Sequence, residues 1–67
     1  MSKFLKIGQK FSSIDMIWTI TDIDEESKRV ELTGETQNTD VLTADIDIYY
    51  EDFDFLLHLR FMIPIVP

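Results

Sequence analysis

Cysteine is absent from this chain, and histidine occurs once, at His58. The first absence excludes a disulfide staple. The second excludes a structural zinc site built from sulfur and nitrogen ligands. The 67 residues form one domain, and a domain so short buries only about 60% of the surface its unfolded chain exposes. Its stability must therefore come from an apolar core or from a partner subunit. No long apolar run is present. The stretch from Phe55 to Pro67 is interrupted by His58 and Arg60, and a membrane-spanning helix needs about 20 residues. The opening MSKFLKIGQKF is basic but has neither an apolar segment nor a small-residue cleavage site of the secretory kind. These features, with the missing cysteine, lead to the expectation of a cytoplasmic protein. No repeat, linker or low-complexity tract divides the chain.

What the chain does have is core material and acid. Hydrophobic residues make up 45% of it, enough to argue against disorder despite the charge. Phe4, Phe11, Trp18, Phe53, Phe55 and Phe61 supply bulk. Thirteen acids against six bases give a net charge of −7, and they are unevenly placed. Met1 to Gly34 holds six acids and five bases; Glu35 to Pro67 holds seven acids and Arg60 alone. Between Asp40 and Asp54 there is no base at all. Such a field repels nucleic acid and membranes and attracts basic proteins.

Along the chain, Lys3–Phe11 reads as a strand bent at Gly8, and Ser12 and Ser13 as punctuation. Met16–Ile23 is rich in strand formers, with Met16, Trp18 and Ile20 on one face. Asp22–Lys28 reads as a loop, and Arg29–Thr33 as the returning strand, with Val30 and Leu32 inward. Gly34–Asp40 reads as a polar turn. Val41–Tyr50 is the longest clean alternation: Leu42, Ala44, Ile46, Ile48 and Tyr50 point one way, and Thr43, Asp45, Asp47 and Tyr49 the other. Glu51 to about Arg60 alternates like a strand, but its first-turn acids and final His58 and Arg60 suit a helix dipole. A helix is expected there, with Phe53, Leu56, Leu57 and Phe61 inward, and with Pro64 and Pro67 ending regular structure.

The expected fold class is α+β, mainly β. It is a small twisted antiparallel sheet, or partly open barrel, of about four strands with one short C-terminal helix; an all-β fold is the alternative. The succession IGQKF, WTITDID and RVELTG resembles the opening of small SH3-like barrel proteins of phages and prophages. The resemblance covers the first half of the chain and brings no catalytic motif. Small size, acidity and this style together resemble phage-encoded host-takeover proteins of the DNA-mimic type, including those that inhibit the histone-like protein HU. That likeness is one of type rather than of motif. It implies action in a bacterial host cytoplasm on a basic DNA-binding protein.

The carboxylates carry the functional reading. Asp45 and Asp47, two apart on a strand, share a face at a separation of roughly 7 Å, comparable to the step between phosphates along a DNA strand. Asp40, Glu51, Asp52 and Asp54 extend the row, with Tyr49 as an aromatic contact. Asp22, Asp24, Glu25 and Glu26 form a second cluster at a loop. The plainer alternative is a solvated face kept for solubility, but such surfaces usually mix signs. Of Tyr49 and Tyr50, one should be buried and one exposed.

Calcium-loop chemistry fails on spacing. A loop starting at Asp22 has Ser27 and Thr33 where glycine and glutamate are required, and one starting at Asp45 has Tyr50 and Leu56. No nucleophile elbow, phosphate loop or metal motif is present, so neither an enzyme nor a cofactor is expected. The apolar tail suggests an interface. A homodimer through Phe61, Met62, Ile63, Ile65 and Val66 would bury it and lengthen the acidic surface. The leading expectation is an inhibitor that competes with DNA for a basic protein. The other is an interaction adaptor that binds through the tail, its acids serving solubility only.

Overall fold

The computed structural model describes residues 5–36 and 43–65. In chain order they form β1 (Lys10–Ser13), β2 (Met16–Asp24), β3 (Arg29–Thr36), β4 (Thr43–Tyr49), α1 (Tyr50–His58) and β5 (Ile63–Pro64). The strands make one open antiparallel sheet in the order β4-β3-β2-β1-β5. The class is α+β and mainly β, with five strands rather than four and the helix in place of the all-β alternative. The sheet does not close: β4 and β5 are its two edges.

Period-2 alternation sorts the side chains of β3. Val30 and Leu32 face inward and are sealed at 0% and 1% exposure, while Arg29, Glu31, Thr33 and Glu35 face out. Gly34 also lies inward, under the Trp18 ring. A β-carbon at Gly34 would sit 2.5–2.8 Å from that ring, so glycine is what lets the indole lie flat on the sheet. The helix covers the inner face. Its Phe53 is fully buried and meets Phe11 edge-on, with ring centroids 5.0 Å apart at 88°. Ile20, Tyr50 and Met62 complete the core.

Several expected boundaries move. Among the described residues the first strand begins at Lys10, because the chain turns at Ile7–Gly8, with Gly8 at φ 94°; Lys3 and Phe4 of the expected strand lie outside the described residues. Ser12 and Ser13 are strand residues, and the turn falls on Ile14–Asp15. Ile14 adopts φ 53° there, a left-handed conformation costing roughly 1–2 kcal/mol for an L-residue. Asp22 to Asp24 belong to β2, and only Glu25 to Lys28 form the turn. The Asp24 carboxylate holds that turn by accepting the backbone N–H groups of Glu26 (3.0 Å) and Ser27 (3.3 Å). β3 runs on through Gly34 to Thr36.

A β-bulge explains the longer β2. The β2–β3 register shifts between Ile20 and Asp22, leaving Thr21 as the extra residue. Its hydroxyl donates to the Glu31 carbonyl at 3.4 Å. The shift lets Ile20 and Ile23 both pack inward, three positions apart, and turns Asp22 and Asp24 outward.

The helix ends in a Schellman arrangement. Arg60 takes the left-handed position at φ 65°. The Arg60 N–H reaches the Leu57 carbonyl (3.2 Å) and the Phe61 N–H the Leu56 carbonyl (3.0 Å). That reversal carries Phe61 off the expected inward stripe, leaving it 56% exposed, and inserts Met62 in its place at 4%. Pro64 does not end regular structure. It pairs with Phe11 in β5, where an edge position demands no N–H from it.

Candidate partner-binding face

The strand registers assemble the outer face row by row. Ile17, Glu35 and Thr43 lie side by side across β2, β3 and β4, followed by Thr19, Thr33 and Asp45. Next come Asp22, Glu31 and Asp47, then Asp24, Arg29 and Tyr49. Six carboxylates, those of Asp22, Asp24, Glu31, Glu35, Asp45 and Asp47, thus share one surface. Among the described residues its bases are Arg29 and, at the β1 side, Lys10, whose ammonium donates to the Thr19 hydroxyl at 3.0 Å.

The middle of this face is held in place. The Tyr50 N–H donates to the Lys28 carbonyl at 2.8 Å. That makes the 28/50 position a bonded pair, and alternation leaves Arg29/Tyr49, Glu31/Asp47 and Thr33/Asp45 as the non-bonded pairs, whose side chains approach most closely. The contacts follow. Thr33 donates its hydroxyl to Asp45 Oδ1 at 2.8 Å. The Arg29 guanidinium lies 5.1 Å over the Tyr49 ring and pairs with Asp47 Oδ2 at 2.9 Å. Arg29 Nε is left without a partner.

Glu31 feels the crowding most. Desolvation by its neighbours, then the charge of Asp22 and a hydrogen bond shared with it, then the charges of Asp47 and Asp45, hold its carboxyl above the ordinary value. Asp24 moves the other way: hydrogen bonds from the Ser27 side chain and backbone keep its carboxyl low. Like charges placed directly opposite on a sheet are destabilising, so this row costs the fold stability. Among the described residues no group of three or more acids or histidines is placed to hold a metal ion.

The expected site residues divide between two sides. Asp45, Asp47 and Tyr49, with Asp22 and Asp24, come together on the outer face, so the supposed loop cluster is partly a strand cluster. Glu25 and Glu26 stay in the β2–β3 turn. Glu51, Asp52 and Asp54 do not extend the Asp45–Asp47 row, because α1 folds back over the inner face. Glu51 instead meets Glu26, Ser27, Lys28 and both tyrosines around an open concavity of about 470 Å³ at the end of the sheet. Tyr49 is exposed (51%) and Tyr50 buried (8%), its hydroxyl donating to the Asp24 carbonyl at 3.4 Å. Asp40 and Val66 lie outside the described residues. Met62 is core and presents no surface for a dimer, whereas Phe61, Ile63 and Ile65 are exposed.

Sequence reasoning passed over Glu31, Glu35 and Arg29 as site residues. The signal for Arg29 and Glu31 was the outward phase of Arg29–Thr33, which lines them up with β4 once the strands are paired; Glu35 lay in the stretch read as a polar turn and gave none.

Comparison with protein-family models, with curated proteins and with solved structures finds no match. No helix among the described residues is long and apolar enough to cross a membrane.

Proposed function

We propose that this protein is an acidic DNA mimic that occupies the DNA-binding surface of a basic protein and inhibits it by competition. The observation that carries the reading is the one-sided, ordered outer face. Asp22, Glu31 and Asp47 stand in a row across three strands, with Asp45 roughly 7 Å along β4 from Asp47. A sheet holds such carboxylates in an array that a disordered acidic tail cannot keep. A histone-like protein of the HU type, a nuclease or a polymerase subunit has the complementary basic groove. The chain itself binds no nucleic acid, since its field repels phosphate.

The test is competition. With HU as the basic protein and a labelled duplex as reporter, the chain should displace DNA at low salt. It should lose that power as salt shortens the screening length to about 3 Å at 1 M. Asp45→Asn with Asp47→Asn should abolish displacement while leaving the fold intact by circular dichroism. Displacement that is indifferent to salt and to both substitutions would overturn the proposal.

A second reading is favoured by the exposure of Phe55 (61%), Phe61 (56%) and Ile63 (50%). In it, the apolar side chains of the C-terminal surface are the docking site, for a partner protein or for a second copy that makes a homodimer through Phe61, Ile63 and Ile65. Phe61→Ser with Ile63→Thr separates the readings. It abolishes partner binding or dimerisation under this second one and leaves charge-dependent displacement by the monomer under the first. Deleting the tail would be a poor test, because Met62 and β5 belong to the fold.

A further inference from the structure

Among the described residues the acidic face ends at an unpaired strand edge. β4 has β3 on one side, and among the described residues nothing on the other. Since the 28/50, 30/48, 32/46 and 34/44 positions bond toward β3, the N–H and C=O groups of Thr43, Asp45 and Asp47 point away from the sheet, while the Tyr49 carbonyl is taken by the first turn of α1. The side chains along this edge alternate in chemistry as well as direction. Asp45 and Asp47 lie above it on the outer face. Ala44 and Ile46 lie below it and remain solvent-exposed, Ile46 at 36%. The exposure below has a plain cause. α1 starts immediately after β4 and folds back over Val30 and Ile48, so it leaves the other half of β4 uncovered.

The geometry points to β4 as a docking edge for a strand of the basic partner, one in which lysine or arginine alternates with apolar residues. Resting on the proposed function, this inference adds the form in which the cationic partner is recognised. An added strand would satisfy the outward backbone groups, set its bases against Asp45 and Asp47, and lay its apolar side chains beside Ala44 and Ile46. Charge complementarity selects this occupant over a second copy. Antiparallel self-pairing about Ile46 would set Asp45 of each copy against Asp47 of the other. Pairing about Asp45 or Asp47 would oppose a residue to itself, and in-register parallel pairing would do the same. Acids on an edge strand block self-association in this way while leaving the edge open to a basic strand.

The probe is an eight-residue peptide of alternating lysine and valine, added to ¹⁵N-labelled protein at low salt, with amide exchange followed residue by residue. The control is the same peptide N-methylated at its central residues, which keeps charge and side chains but removes donors. The Asp45 and Asp47 amides should exchange freely in the protein alone and slow at least tenfold with the first peptide, and the Ile46 amide, already bonded to β3, should not change. The control should bind roughly tenfold or more weakly, as expected for losing two or three hydrogen bonds. Equal binding of both peptides without amide protection would overturn strand addition and leave the charge-based function standing. Binding of neither would overturn both.

Discussion

On the inner face of β3, Val30 and Leu32 are closed off from water by Ile20, Phe53 and Met62. On its outer face, the residue between them, Glu31, stands open among Asp22, Asp45 and Asp47. One strand therefore serves two opposite ends. The inner side gains free energy with each apolar group it hides, at roughly 25 cal/mol per Å². The outer side gives some back by crowding like charges that a solubility surface would have interspersed with bases. Arg29, stacked on Tyr49 and paired with Asp47, is the one base set within the crowded β3–β4 rows. It orders the array without neutralising it. The difference teaches where each face's information lies: the inner face sets whether the chain folds, and the outer face sets what a partner meets.

Substitutions that break the inner face should have the largest effect. Phe53→Ala removes the ring packed on Phe11 and should cost about 3–5 kcal/mol. In a chain of this size that is comparable to the whole stability, so circular dichroism at 25 °C should show a largely unfolded protein. Gly34→Ala is the next test. Its methyl group would enter the space of the Trp18 ring, and displacing the indole should cost about 1–3 kcal/mol. Urea unfolding would report the loss, and tryptophan fluorescence the greater exposure of the indole.

The outer face should respond mildly and with a pH signature. In the folded protein the Glu31 carboxyl is held above its ordinary value, so its ionised form opposes folding at neutral pH. As pH falls, Glu31 takes up its proton in the native state before it would in the unfolded chain. The penalty is relieved through the window just above the ordinary glutamate value and is gone below it. Glu31→Gln should therefore raise the melting temperature at pH 7, and its advantage over the parent protein should vanish as pH drops through that window. An advantage independent of pH would mean that the crowding of Glu31 does not affect stability.

Much of this was legible in the residue order. The alternation of Val30 and Leu32 against Glu31 and Thr33, and of Ile46 and Ile48 against Asp45 and Asp47, assigned both faces of β3 and β4. Acids before and His58 after the apolar stretch identified α1, and the separate fates of Tyr49 and Tyr50 followed from the same alternation. Asp22–Lys28 read as a loop because the Thr21 bulge breaks the period just before it, so the strand end at Asp22–Asp24 looked like part of the turn. It also placed Phe61 inside, because nothing local announces that a non-glycine residue, Arg60, will take a left-handed turn. Glu51, Asp52 and Asp54 followed Asp45 and Asp47 in sequence but left them in space when α1 reversed the chain.

By itself, then, the sequence determined the two-faced character of β3 and β4, the excess of acid and the need for an apolar core, because side-chain direction along an unbroken strand depends only on parity. Tertiary structure decided which acids meet. Register brought Asp22 and Glu31 beside Asp47, the bulge kept Asp22 and Asp24 on the same side, and the placement of α1 left Ala44 and Ile46 uncovered. Those outcomes depend on pairing between residues far apart in the chain, which no local pattern encodes.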